Sequence, residues 1–229
     1  MKVALVYDRV NKFGGAERVL EALHEIWPEA PLFTSVYDKF GAGWADGWDI
    51  RSSFLQKIPL AKGNHQYLGW LMPKVFESMD LSGFDVIISV TSEAAKGIKT
   101  GKNQIHICYL LTPTRYLWSH AMDYWKSIPK LARPAALLAL SNLRMWDYRA
   151  AQRPDKIISI SKEVQKRCWK YYKRQSSIIY PGTLDIVSRV GQPGTGLSEA
   201  PIQIPGLNGD NTDGASIPSK QHSFDSRLH

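Results

Sequence analysis

Short apolar runs alternate with helical stretches along the first 182 residues, and this alternation constrains the fold more than any other feature. The runs are rich in Val, Ile and aromatic residues and are apolar on both faces, which is typical of buried strands in a parallel sheet. They are KVALVYD (2–8), APLFTSVYD (30–38), FDVIISVTS (84–92), NQIHICYLL (103–111), DKIISIS (155–161) and SSIIYPG (176–182).

The segments between these runs carry apolar residues at helical spacing. They are GAERVLEALHEIW (15–27), NHQYLGWLMPKVFESM (64–79), PAALLALSNLRMWDYRAAQ (134–152) and KEVQKRCWKYYKR (162–174). Pro73 is expected to interrupt or kink the second helix, and Ser161 is a candidate N-cap of the last. Strands that alternate with helices predict an α/β fold with a Rossmann-like, doubly wound parallel sheet.

The last 47 residues break the pattern and predict a separate segment. Residues 183–229 are rich in Gly, Pro, Ser, Asn and Asp, and Phe224 is their only aromatic residue. Such a segment buries little apolar surface, so we expect one domain over 1–182 and a disordered tail over 183–229. No apolar run approaches the length needed to span a bilayer, and the first residues lack a signal-peptide pattern, which favours a cytoplasmic protein.

Charge and cysteine content narrow the function classes only partly. The chain has a net charge of +8, and residues 1–182 alone carry +10. A basic domain suits an anionic substrate, an anionic membrane surface or nucleic acid. Cys108 and Cys168 fit no metal or redox spacing, so they are interpreted as free thiols in a reducing compartment.

A glycine pair between the first strand and the first helix is the first candidate binding element. Gly14 and Gly15 lie where free N–H groups and the positive end of the helix dipole would face a ligand beyond the sheet. The loop matches neither G-x-G-x-x-G nor the Walker A pattern, so a tight turn without a ligand is the alternative.

Further candidates follow other strands. Arg115 comes just after Thr112 and could bind a phosphate or carboxylate through two N–H groups, the alternative being a surface ion pair. Glu17 lies in the first turn of its helix, where favourable interaction with the dipole is the alternative to ligand contact. Asp8 ends the first strand, and loop hydrogen bonding is the simplest interpretation of its carboxylate.

Several segments together resemble the N-terminal domain of family 4 glycosyltransferases. These are MKVALVYDRVNKFGGAERVLEAL, FDVIISVTSEAAKGIKT, HICYLLTPTRYLW and RMWDYRAAQRPDKIISISKEVQKRCWKYYKRQSSIIYPG, which match in order and spacing over about 1–182. The resemblance implies the GT-B arrangement of two Rossmann-type domains. In that arrangement the first domain holds the acceptor and the second holds a nucleotide-sugar donor through an E-x7-E motif.

The resemblance also implies what the reaction would be. A hexose, mannose-like or related, would pass with retention from a nucleotide sugar to a polysaccharide or lipid-linked glycan acceptor, as in cell-envelope polysaccharide biosynthesis. No cofactor and no metal is expected. Gly14, Gly15, Glu17, Thr112 and Arg115 would line the cleft as substrate-binding residues, while no catalytic residue is assigned.

The basic, aromatic helix at 162–174 suggests a peripheral contact with the anionic inner face of the membrane. Lys166, Arg167, Trp169 and Lys170 are the candidate contacts, and a solvated helix face is the alternative. The apolar stretch LARPAALLALSNL (131–143) is interpreted instead as part of the core.

Two departures from the family pattern limit the expected activity. Leu111 stands where many relatives have an active-site histidine, and His106 is expected to be a core residue rather than its replacement. No E-x7-E motif follows residue 182, so we expect truncation or a frameshift near that point and a chain inactive without a separate donor-binding domain.

A non-catalytic module that binds anionic membrane or nucleic acid is the alternative function, although no RNP, zinc or helix-turn-helix pattern supports nucleic-acid binding.

Overall fold

Seven parallel strands form one sheet in the computed structural model, which describes residues 1–58, 69–128, 130 and 133–181. The sheet order is β3-β2-β1-β4-β5-β6-β7. The strands are β1 Val3–Tyr7, β2 Leu32–Thr34, β3 Ile50–Ser52, β4 Val86–Thr91, β5 Ile105–Leu110, β6 Lys156–Ser159 and β7 Ser177–Ile178. With the helices that flank the sheet, this confirms the predicted Rossmann-like α/β fold. The predicted tail at 183–229 lies outside the described residues.

Five α-helices are described, and they bear out most of the predicted helical segments. They are α1 Gly15–Ile26, α2 Met72–Glu77, α3 Ala121–Ser127, α4 Arg133–Ala150 and α5 Lys162–Tyr172. Ser161 caps α5 as predicted, because its Oγ accepts a hydrogen bond from the Val164 N–H at 3.2 Å. Pro73 does not kink α2, since it lies in the first turn of this helix, where proline's missing N–H is not needed. The alternative prediction, an interruption of the 64–79 segment, fits the start of α2 at Met72, and residues 64–68 lie outside the described residues.

Both faces of the sheet are covered by apolar side chains, which explains why the strands read as continuous apolar runs. All five residues of β1 are buried. Ala4 and Val6 pack into the layer that includes Phe76 of α2, and Leu5 packs into the opposite layer with Leu20 of α1. Strand β3 was not predicted, because an edge strand exposing Arg51 has no apolar run to reveal it.

The interpretation of residues 131–143 as core is wrong for the side chains that are described. Leu137 and Leu138 of α4 are 58% and 69% exposed. The covered side of this helix is that of Asp147 and Ala150, and the two leucines lie away from it. Leucine content alone does not reveal which side of a helix will be covered.

His106 is a core residue, as predicted. It is fully buried in β5, and its Nε2 lies 2.8 Å from the Ser89 hydroxyl of β4. Burial disfavours the imidazolium and lowers the pKa of His106 to about 4. Cys108 and Cys168 are likewise buried free thiols, and burial raises the pKa of Cys108 to about 12.

We expect the buried His106 to make the protein sensitive to mild acid. The pKa is depressed on folding, so stability is complete above the unfolded-state value near 6.5 and falls as pH drops towards 4, by about 3 kcal/mol. Urea unfolding at a series of pH values measures this loss. His106→Gln should flatten the profile over that window, whereas His120→Gln at an exposed site should not.

Candidate functional site

A cavity of about 740 Å³ opens at the carboxyl edge of the sheet. It is bounded by the loop between β1 and α1 and by residues that follow β4, β5 and β6. Strand β1 lies between β2 and β4, so the strand order reverses there, and ligands of open α/β sheets bind at such a crevice. All five predicted substrate-binding residues line this cavity: Gly14, Gly15, Glu17, Thr112 and Arg115.

Gly14 and Gly15 differ in what a side chain at each position would meet. Gly14 is the N-cap of α1, and a Cβ there would lie 3.2 Å from the Glu17 Oε2 atom. Gly15 is the first residue of α1, and a Cβ there would meet no protein atom within 4 Å. The first N–H groups of α1 have no intrahelical partner and lie beside this space. Absence of a side chain at Gly15 therefore keeps one wall of the cavity open.

Glu17 is held inside the cavity wall by a tyrosine. Its side chain is 2% exposed, and its Oε1 accepts a 2.7 Å hydrogen bond from the Tyr7 hydroxyl. Burial, followed by this bond to a carboxylate, raises the pKa of Tyr7, so the phenol stays protonated. The position in the first turn of α1 suits the helix dipole, which is the alternative role given for Glu17, and contact of Glu17 with a ligand stays a prediction.

Asp8 organises the loop after β4, which confirms loop hydrogen bonding as its role. Its carboxylate is 4% exposed and accepts bonds from the backbone N–H groups of Ser92, Glu93, Ala94 and Ala95 at 2.7 to 3.0 Å. The Thr91 hydroxyl donates to the same carboxylate at 2.9 Å. Asp8 thereby fixes the backbone that carries Glu93 to the cavity.

An Arg9–Glu93 ion pair forms part of the cavity wall and was missed by the sequence reasoning. Both side chains are largely buried. Burial raises the pKa of Glu93, and the Arg9 guanidinium opposes this rise. The signal that could have found Glu93 is its place just past the carboxyl end of β4, the same kind of position that drew attention to Arg115.

Two cations of the cavity have no acidic partner among the residues that the structure describes. The side chains of Lys12 and Arg115 make no hydrogen bond or ion pair to any of these residues. The alternative of a surface ion pair at Arg115 therefore finds no support. Lys12 is positioned through its backbone, because its carbonyl accepts a 2.9 Å bond from the Trp44 indole. These cations provide positive charge for an anionic ligand.

A buried polar cluster lies behind the segment that carries Arg115. Lys96 and Asp147 form an ion pair at 2.6 Å, each side chain being 1% exposed. Asp147 also accepts bonds from the side chains of Thr114, Trp118 and Tyr172 at 2.7 to 2.8 Å. The cluster ties residue 114 to α4 and α5 and so positions the backbone next to Arg115.

Leu111 also lines the cavity, at the position where the resemblance implies a histidine. A leucine can neither transfer a proton nor hydrogen-bond a ligand. His106 does not replace it, because that ring is buried within the sheet. Over the described parts of the chain, no three His, Cys, Asp or Glu residues lie close enough to hold a metal ion.

The predicted membrane-contact residues lie on α5 and outside the cavity. Lys166, Trp169 and Lys170 are exposed, while Arg167 pairs with Glu163 at 3.1 Å. The Lys170 ammonium lies 5.3 Å from the centre of the Tyr171 ring. None of the helices seen in the described ranges combines the length and the apolar character that a membrane span requires.

Comparisons with known proteins give little similarity. No family model matches the chain, and no curated protein matches it. Among solved structures, the chain is similar to the wall teichoic acid polymerase TagF, with 10% sequence identity and a TM-score of 0.37. The match covers 77% of this chain and 37% of that one, so the chain spans little more than a third of that protein.

Proposed function

We propose that residues 1–182 are the acceptor-side, N-terminal domain of a GT-B glycosyltransferase. The observation that supports this best is the cavity at the reversal of strand order, where an open helix N-terminus meets Lys12 and Arg115. Cations without acidic partners suit a diphosphate, and the carboxylates of Glu17 and Glu93 suit sugar hydroxyls. A nucleotide sugar has both a diphosphate and sugar hydroxyls, whereas a glycan acceptor has only the sugar hydroxyls.

The reaction proposed is transfer of a hexose, with retention, from a nucleotide sugar to a polysaccharide or lipid-linked glycan. We propose that it uses no metal and no bound cofactor. The donor-binding part would come from a second domain or a separate protein, so this chain alone would be inactive. Leu111 would leave its own position in the cavity without a proton-transferring group, and we assign no catalytic residue.

The same proposal places the protein in the cytoplasm, at the inner face of a membrane that presents the acceptor. Lys166, Trp169 and Lys170 of α5 are candidates for that contact because they are exposed and carry positive charge beside an aromatic ring. Arg167 is a weaker candidate, since Glu163 already neutralises it.

Calorimetry with UDP- and GDP-sugars tests the proposal on the full chain and on a fusion to a donor-binding Rossmann domain. We expect no measurable binding by the chain alone and binding with turnover by the fusion. Tight binding and turnover by the chain alone would contradict the two-domain proposal. Absence of both from a correctly folded fusion would contradict the glycosyltransferase function itself.

In the active fusion, Arg115→Gln should weaken binding of the nucleotide sugar about 10- to 100-fold, because a charge-assisted hydrogen bond is lost. Gly15→Ala should also weaken it, because the new Cβ would occupy cavity space while meeting no protein atom. Thermal unfolding should show that both variants fold.

Lys102→Gln is the matched control for these two variants. This exposed lysine precedes β5, at the opposite edge of the sheet, and its loss should leave binding unchanged. Equal binding by the Arg115 variant and the control would remove Arg115 from the site.

A further inference from the structure

Helices α3 and α4 present large apolar side chains to solvent. We call the exposed residues Met122, Leu137, Leu138, Met145 and Tyr148 the α3–α4 face. The exposed fractions of Met122, Leu137, Leu138 and Met145 are 67%, 58%, 69% and 52%. An apolar groove of about 340 Å³, lined by Leu117, Ala121, Leu140 and others, lies between the two helices. Clustered exposed apolar surface of this kind marks an interaction site.

The exposed charges of α4 have one sign, while α3 contains Lys126 and one acid, Asp123. Helix α4 contains Arg133, Arg144 and Arg149 but only one acid, Asp147, which is buried against Lys96. Lys126 and Lys130, just before α4, are exposed as well. The exposed part of α4 therefore combines leucine and methionine with arginine and carries no carboxylate. A solvated helix face ordinarily mixes both signs of charge.

We propose that the α3–α4 face docks on the surface of an anionic lipid bilayer. Helices that lie at a membrane surface combine apolar side chains with cationic ones. The apolar side chains enter the boundary between headgroups and acyl chains, and the cationic side chains contact lipid phosphates. A second copy fits less well, because a two-fold pairing would bring the arginines of one face against those of the other. The inference deepens the membrane location proposed above by naming the surface that makes the contact, and it does not depend on whether the chain takes part in sugar transfer.

This surface differs from the α5 surface that the sequence suggested. On α5 the exposed residues are mainly lysines, with Trp169 as the only strongly exposed large apolar side chain and Glu163 exposed among them. The α3–α4 face has several such side chains and no exposed acid on α4. We therefore assign the main membrane contact to α3 and α4.

Flotation of the full chain with vesicles tests the assignment. One vesicle is phosphatidylcholine alone, and the other contains about one-third phosphatidylglycerol. We expect binding to the anionic vesicle, much weaker binding to the neutral one, and a decline as salt is added. Absence of binding to the anionic vesicle would overturn the proposal.

Two variants and one control locate the contact. Leu137→Gln with Leu138→Gln keeps helix-forming residues and should lower partitioning at least about tenfold. Lys126→Gln with Arg149→Gln should lower partitioning roughly thirtyfold, because two cations near the lipid phosphates are lost. Neither side chain has a partner among the described residues, so the fold should not depend on them. Lys166→Gln with Trp169→Ser on α5 should lower partitioning less than either of these variants.

Three outcomes would overturn the assignment. They are a leucine variant that partitions like the natural chain, an α5 variant that abolishes partitioning, and a leucine variant that converts a dimer into a monomer without lipid. The last result would identify the face as an interface between copies. Circular dichroism and thermal unfolding confirm that each variant is folded.

Discussion

Replacing Asp147 by alanine should lower the free energy of unfolding by about 3–5 kcal/mol, because the Lys96 ammonium would remain buried without its counter-charge. The two groups lie 2.6 Å apart, and each side chain is 1% exposed. The variant also removes the acceptor of three further hydrogen bonds, whose donors are Thr114, Trp118 and Tyr172. Urea unfolding followed by far-UV circular dichroism measures the loss.

A paired substitution separates the charge effect from a simple loss of packing. Lys96→Met with Asp147→Leu removes both charges, and apolar replacement of a buried ion pair is often neutral or stabilising. We expect this double variant to be more stable than Asp147→Ala, although the neighbouring hydroxyl and indole groups still lose an acceptor. A cost below about 1 kcal/mol for Asp147→Ala would mean that the pair is solvated.

The sheet was predictable because its central strands are covered on both sides. All of β1 is buried, so its apolar run is uninterrupted and its character is evident without an alignment. Strand β3 and helix α4 show the limit of such reasoning. β3 lies at the edge of the sheet, and its Arg51 is exposed. Leu137 and Leu138 of α4 face solvent, although a leucine-rich stretch suggests a buried helix.

The candidate site was predictable only where its residues follow strand ends. Gly14, Gly15 and Arg115 were found because polar or glycine residues just past a strand lie at the ligand edge of a parallel sheet. The Arg9–Glu93 pair was not found, because its members are 84 positions apart. Lys96 and Asp147 are also distant in the chain, and a single sequence contains no record of which residues meet.

Asp8→Asn should be the second severe change, with a loss of about 4 kcal/mol or more in the free energy of unfolding. The carboxylate accepts bonds from four successive backbone N–H groups, those of residues 92–95. An amide of the same shape turns one acceptor into a donor that would face these N–H groups. Because the loop carries Glu93, we also expect weaker ligand binding wherever the variant still folds.

Asp49→Asn is the matched control, since Asp49 is also an aspartate with a close partner. It pairs with Arg51 at 2.7 Å, but both side chains are at least half exposed, so the expected cost is below about 1 kcal/mol. A similar small cost at Asp8 would mean that the loop after β4 does not depend on this carboxylate. A large loss of unfolding free energy for Asp8→Asn alone would establish that Asp8, at the end of β1, holds the loop after β4 that forms part of the cavity wall.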